Sequence, residues 1–142
     1  MTDIQTALGL SQMQRLDECV QRRHEIARRY DAAFASLPVI TPWQRPDVHS
    51  SYHLYPIRVR ESRCGKTQRQ VYDTLREAGV AVNLHYIPVY RQPYYEAMGF
   101  NAGYCPEAER FHKETISLPM YPTIKEDEQL HVIDSVRKIL TS

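Results

Sequence analysis

Apolar side chains recur at three- and four-residue spacing through residues 1–36, which is the period of one face of an α-helix. Thr2 or Asp3 is placed to cap the first free backbone N–H groups of such a helix. The positions of the stripe are Ala7, Leu8, Met13, Leu16, Val20, Ala27, Tyr30, Phe34 and Leu37. The pattern predicts one long amphipathic helix that reaches about residue 36.

Later in the chain the apolar positions alternate, as they do in strands that are buried on one face. Residues 52–59 predict a first strand and residues 80–87 a second, with Asn83 and His85 on the polar face of the second. Residues 116–122 form a further short extended segment. These stretches together predict a small sheet of about three strands.

Three more helices follow from end signals combined with helical spacing. Thr67 and Gln70 have the spacing of a capping box, and the helix that they open is expected to stop before Gly79. Pro106 at a first helical position predicts a short helix that ends near Thr115. Thr123 and Glu126 have the same capping-box spacing ahead of an apolar stripe, which predicts a C-terminal helix.

The order of these elements predicts an α+β fold, sandwich-like, in which a small sheet is covered by helices. Closely spaced prolines make residues 37–51 a connecting loop. The length of 142 residues is that of one domain. We therefore expect a single domain over 1–142, with a leading helix at 1–36 and a sheet-and-helix body at 52–142.

Composition narrows the classes of partner. The 18 basic and 17 acidic side chains nearly cancel, so the chain lacks the charge of a nucleic-acid binder or a polybasic membrane binder. Three cysteines at irregular spacing match neither a disulfide framework nor a zinc site, and a reducing cytoplasm fits them best. No apolar run has transmembrane length, and Asp3 and Gln5 stand where a signal peptide would need an apolar run.

No phosphate loop, nucleophile elbow or metal-binding pair is present, so the residues assign no catalytic, cofactor-binding or metal-binding position. The candidate for ligand contact is the tyrosine-rich stretch after the second predicted strand, where His85, Tyr86 and Tyr90 lie close together. A histidine there has a hydrogen-bonding nitrogen for a ligand, and tyrosines pack on sugar rings. Packing within the domain is the alternative, and the residues alone favour it.

Five stretches resemble the DegT/DnrJ/EryC1/StrS family of pyridoxal-phosphate-dependent nucleotide-sugar aminotransferases, in the order that the family has them. They span almost the whole chain: residues 1–12, 51–59, 78–88, 105–110, and 117–122 with the helix that follows. The His85–Pro88 segment, with Gln92–Tyr95, is most similar to the branch that aminates UDP-4-keto-6-deoxy-N-acetylhexosamines on the pseudaminic acid route. That branch commonly has a histidine where this chain has Tyr90.

The resemblance implies the small C-terminal domain of a fold-type I aminotransferase that takes its amino group from glutamate. Family chemistry needs a lysine that forms a Schiff base with pyridoxal phosphate, and the resemblance places that lysine before Met1. The chain's four lysines, Lys66, Lys113, Lys125 and Lys138, do not match the family's lysine motif. The isolated chain is therefore expected to be inactive and to hold no cofactor stably.

The resemblance also implies partners. A missing large domain would contact the leading helix, a nucleotide sugar would lie near His85 and Tyr86, and the parent would be a homodimer. The alternative is a stand-alone module that binds a nucleotide sugar or another subunit without chemistry.

Overall fold

The computed structural model describes residues 2–141, and the fold over this range is α+β, as the sequence predicts. Its elements are α1 Asp3–Met13, α2 Leu16–Phe34, β1 Val39–Ile40, β2 Tyr55–Val59, α3 Glu61–Cys64, α4 Gln68–Glu77, α5 Pro93–Glu96, α6 Pro106–Glu114, β3 Thr115–Leu118 and α7 Glu126–Thr141. A single 3₁₀ turn lies at Val89–Arg91.

The three strands form one antiparallel sheet in the order β1-β2-β3. Ile57 of β2 lies opposite Ile116 of β3, and both side chains are fully buried. Helices α2, α4 and α7 cover the core. Gln129 of α7 is buried and donates to the Ile26 carbonyl of α2 at 2.9 Å, which joins these two helices inside the core.

Three predicted helix starts are confirmed, at Thr2, Thr67 and Pro106, whereas the capping box predicted at Thr123 and Glu126 is wrong because α7 begins at Glu126. The Thr67 hydroxyl and the Gln70 side chain form the reciprocal capping box of α4, and Gly79 follows with a φ of +80°, which favours glycine. Pro106 occupies the first turn of α6. Thr2 caps α1 through a second box with Gln5.

The prediction of one continuous helix to about residue 36 is wrong. α1 ends at Met13 and α2 begins at Leu16, because Arg15 leaves helical geometry with φ −108° and ψ 7°. No residue of α1 is buried, and Leu8 and Met13 are each 62% exposed. The apolar side chains of α1 are spread round the helix, whereas those of α2 form one buried face, so only the second half of the predicted helix packs on the core.

The prediction of a strand over 80–87 is also wrong. Only Asn83 pairs, as an isolated bridge to Ser117, while Val80 and Val82 are buried without a ladder. The alternation of apolar and polar residues over 80–87 arises because this segment passes along the edge of the core beside β3 and then runs out into the loop. The third strand of the sheet is instead β1, a two-residue strand within the stretch that was expected to be only a connecting loop.

Candidate substrate-contact loop

The residues predicted for ligand contact lie in residues 85–104, which we call the tyrosine loop. It leaves the Asn83–Ser117 bridge, passes through the 3₁₀ turn and α5, and ends where Cys105 precedes α6. The loop is ordered by side-chain contacts rather than by a sheet.

His85 is fixed at the start of the tyrosine loop. Its Nδ1 lies 2.9 Å from the hydroxyl oxygen of Ser117, a β3 residue that is only 4% exposed. The peptide between His85 and Tyr86 is cis, and the two rings lie 4.6 Å apart between centroids. The histidine is thus tied to the sheet, with Tyr86 beside it.

Tyr86 is directed away from the core and is 72% exposed. Among the described residues 2–141, its hydroxyl has no hydrogen-bond partner, and the ring of His85 is the one aromatic ring that it contacts. An exposed aromatic face with a phenol at its edge is suited to pack on a sugar or base while exchanging a hydrogen bond.

Tyr90 is half-buried and points back to α6. Its hydroxyl donates to Glu109 Oε1 at 2.7 Å and accepts from the backbone N–H of Cys105 at 3.2 Å. The Gly103 N–H donates to the same Glu109 oxygen at 2.7 Å. Burial raises the pKa of Tyr90, and the bond to Glu109 adds to this, whereas the same bond holds the pKa of Glu109 below its usual value.

A chain of aromatic rings continues inside the tyrosine loop. The ring of Tyr104 lies 5.5 Å from that of Tyr90 and 5.0 Å from that of Phe100. Arg91 donates to Glu96 at 2.8 Å across α5. These edge-to-face and ionic contacts hold the loop against itself.

The structure separates the three predicted residues by environment. His85 and Tyr90 are engaged by Ser117 and Glu109, while Tyr86 is exposed. A cavity of about 380 Å³ lies beside the loop. Its lining residues are Ile87, Pro88, Arg91, Glu96, Glu109, His112 and Lys113.

Ser117 and Glu109 were not identified from the sequence. Ser117 reads only as one residue of an extended segment, and Glu109 only as an acid in the first turn of a helix, where the dipole favours it. Both bonds join residues far apart in the chain, and no local spacing signals them.

None of the four lysines is buried. Lys125 is exposed, and Lys113, also exposed, borders the cavity beside the tyrosine loop. Lys66 and Lys138 border a cavity whose other lining residues are Thr74, Ala78, His131, Ser135 and Ile139, and that lining contains no carboxylate to pair with a pyridine nitrogen. No step through pyridoxal phosphate is therefore assigned to these residues.

Residues 2–141 contain neither a metal-binding cluster nor a membrane-spanning helix. No group of three or more His, Cys, Asp or Glu side chains there is arranged to hold a metal ion. No helix in the same range has the length and apolar character needed to cross a membrane.

Solved structures of sugar aminotransferases have the same fold. The PLP form of a sugar aminotransferase, Spr1654 from Streptococcus pneumoniae, matches with a TM-score of 0.90 and 31% identity over 99% of this chain and 36% of that one. PseC from Helicobacter pylori, an aminotransferase involved in pseudaminic acid biosynthesis, matches with a TM-score of 0.86 and 31% identity over 99% of this chain and 38% of its own.

Comparison of sequences gives the same relationship. The spore coat polysaccharide biosynthesis protein SpsC of Bacillus subtilis is 40% identical over 99% of this chain, which spans 37% of the length of that relative. The family model described as the DegT/DnrJ/EryC1/StrS aminotransferase family matches residues 1–137. The chain belongs to the DegT/DnrJ/EryC1/StrS aminotransferase family.

Proposed function

We propose that the chain is the C-terminal part of a pyridoxal-phosphate-dependent sugar aminotransferase. Its substrate would be a UDP-linked 4-keto-6-deoxy-N-acetylhexosamine, with glutamate as amino donor, for the synthesis of a cell-surface or flagellar glycan sugar in the cytoplasm. The observation that carries the proposal is the match of 99% of this chain to 37% of SpsC. The likeness to PseC supports the choice of sugar.

In this proposal the tyrosine loop contacts the nucleotide sugar. Tyr86 packs its exposed ring on the ligand and uses its unpaired hydroxyl for a hydrogen bond. His85, fixed by Ser117, presents its other ring nitrogen to the same ligand. Tyr90 supports the loop from below through Glu109 and lies near the ligand without facing it.

The chemical step belongs to the parent and not to the isolated chain. Pyridoxal phosphate, when bound to a lysine, supplies the electron sink that aminotransferases need. Lys66 and Lys138 border a cavity whose lining has no carboxylate, and Lys113 and Lys125 are exposed. We expect the 142-residue chain to be inactive.

Titration with pyridoxal phosphate tests this proposal. We expect the absorbance spectrum of the chain to show only free cofactor and weak surface adducts, with no sugar amination. A stable, stoichiometric Schiff base on the isolated chain, with turnover of a 4-keto sugar nucleotide and glutamate, would overturn the assignment of the chemistry to another domain.

The exposed apolar side chains of α1 are the proposed contact with the large domain or with a second subunit. They are Ile4, Leu8, Leu10 and Met13, each more than 60% exposed, and they lie on more than one side of the helix. An apolar surface of this kind normally has a partner in a soluble protein. We propose that the parent is a homodimer.

The second candidate is a stand-alone module that binds a nucleotide sugar or another subunit without performing chemistry. The self-contained order of the tyrosine loop favours it, since the loop needs no second domain to make its bonds. The reading frame upstream of Met1 separates the two hypotheses. A frame that continues into a lysine-bearing domain supports the fragment, and a stop codon with a ribosome site supports the module.

A further inference from the structure

We propose that Glu109 is a positioning residue for the sugar-contact loop. It joins the middle and the end of the tyrosine loop to α6 and thereby holds Tyr86 in its outward position. This inference rests on the proposed function for its consequence in binding, but the geometry of the loop carries it.

The carboxylate of Glu109 collects two donors from different parts of the tyrosine loop. Oε1 accepts from the Tyr90 hydroxyl and from the Gly103 N–H, each at 2.7 Å. Gly103 has a φ of +87°, a conformation that favours glycine. One oxygen atom therefore closes the loop on itself.

A second connection runs through Tyr90. Its hydroxyl, while donating to Glu109, accepts from the Cys105 N–H at 3.2 Å, just before α6 begins. The phenol is thus held on two sides. Removing the carboxylate frees Gly103 and leaves the Tyr90 hydroxyl with only its bond to Cys105, whereas removing the Tyr90 hydroxyl leaves the Gly103 bond in place.

Glu109 also forms one long ion pair, which is weaker than its two short hydrogen bonds. Its side chain is 17% exposed, and the nearest cationic atom is Arg91 Nη1, at 3.9 Å. The positive charge of Lys113 also lowers the pKa of Glu109. Hydrogen bonds from two neutral donors are therefore its principal contacts.

Glu107, on the same helix, is a matched contrast. It also lies in the first turn of α6, but its side chain is 78% exposed and its partner is Arg110. Among the described residues, Glu107 has no hydrogen bond or ion pair with the tyrosine loop. If any acidic side chain on α6 affected the loop, substitution of either Glu107 or Glu109 would change it. If Glu109 positions the loop, only its substitution should do so.

The first experiment compares Glu109→Ala, Glu109→Gln and Glu107→Ala in the 142-residue chain by hydrogen exchange with mass spectrometry. In Glu109→Ala we expect amides of residues 86–104 to exchange about tenfold faster, because hydrogen bonds to a charged group are lost. Peptides from β2 and β3 should change by less than about twofold, since no bond of Glu109 reaches the sheet. Glu109→Gln keeps an acceptor oxygen and should restore protection to within about threefold of wild type.

Three results would overturn the positioning role: unchanged loop exchange in Glu109→Ala, acceleration that spreads equally to β2 and β3, or a failure of Glu109→Gln to restore protection. Glu107→Ala should match the wild type, and loop exchange as fast as in Glu109→Ala would also contradict it.

The second experiment measures the affinity for UDP-N-acetylglucosamine by calorimetry on the same proteins. Glu109→Ala should bind about tenfold more weakly, with Glu109→Gln close to wild type. Equal affinity in wild type and Glu109→Ala would remove the link between loop order and sugar contact. If the wild type binds no sugar nucleotide while the exchange results hold, the proposed function loses support and the positioning of the loop by Glu109 stands.

Discussion

The hydroxyl of Tyr55 gives a quantitative test of how the core is held together. Tyr55 of β2 is fully buried, and its hydroxyl donates to Asp31 Oδ1 of α2 at 2.6 Å. Burial, with a further contribution from Asp31, raises the pKa of this tyrosine well above its usual value, so it stays a donor at any working pH. Tyr55→Phe removes this one bond and leaves the ring in place.

The expected cost follows from the charge of the acceptor. A hydrogen bond to a charged group contributes roughly 1.5–3 kcal/mol, and Asp31 is half-buried and regains water when the hydroxyl is lost, so we expect about 2 kcal/mol. For a domain of this size that corresponds to a fall in Tm of roughly 6–8 °C. Tyr30→Phe is the matched control, since its buried hydroxyl donates to a neutral carbonyl, that of Pro119, at 3.0 Å. There the expected cost is about 1 kcal/mol.

Urea unfolding followed by circular dichroism measures both free energies of unfolding. In a double-mutant cycle, Asp31→Ala combined with Tyr55→Phe should show a coupling of about 1.5 kcal/mol. The reasoning is refuted if Tyr55→Phe costs no more than Tyr30→Phe, or if Asp31 and Tyr55 prove additive.

Three further predictions concern helix ends, pH and association. Thr67→Ala should lower the free energy of unfolding by about 1 kcal/mol, whereas Thr2→Ala should leave it unchanged, because α1 buries no residue; equal losses in urea melts would contradict this. The lowered pKa of Glu109 means that its contribution to loop order is complete above the ordinary value of 4.5 and is lost as the pH falls through the lower folded value. In NMR the backbone amide bound to Glu109 should titrate below pH 4.5, and Glu109→Gln should abolish that titration. Light scattering should show self-association of the chain that Leu8→Glu weakens and Leu130→Glu, on an exposed face of α7, does not; a wild-type monomer at high concentration would be the contrary result.

The sequence predicted the elements whose ends are specified locally. Thr2 as a cap, the box of Thr67 and Pro106 at the start of α6 mark helix starts by chemistry within three residues, and the structure has these three. The box predicted at Thr123 is absent, because α7 begins at Glu126. The stretch 80–87 failed because alternation reports burial on one side and not the presence of a partner strand, and only Asn83 has one. β1 is too short to show any period.

Less of the candidate site than of the fold could be predicted from the sequence. The cluster of tyrosines indicated the loop, but the partners that order it lie on β3 and α6 and depend on how the chain folds back. Ser117 and Glu109 are ordinary residues in their own segments. Only the assembled structure distinguishes Tyr86, which is exposed, from Tyr90, which is held from below.

The separation of α1 from α2 has a consequence for spectroscopy. α1 has 11 residues, and helices shorter than about 12–15 residues are only marginally populated in water without packing against something else. We therefore expect α1 to form fully only when another protein surface covers its apolar side chains. The mean residue ellipticity of the chain at 222 nm should become more negative as protein concentration rises or as a cognate domain is added. Helix content can therefore be used to follow docking in a titration.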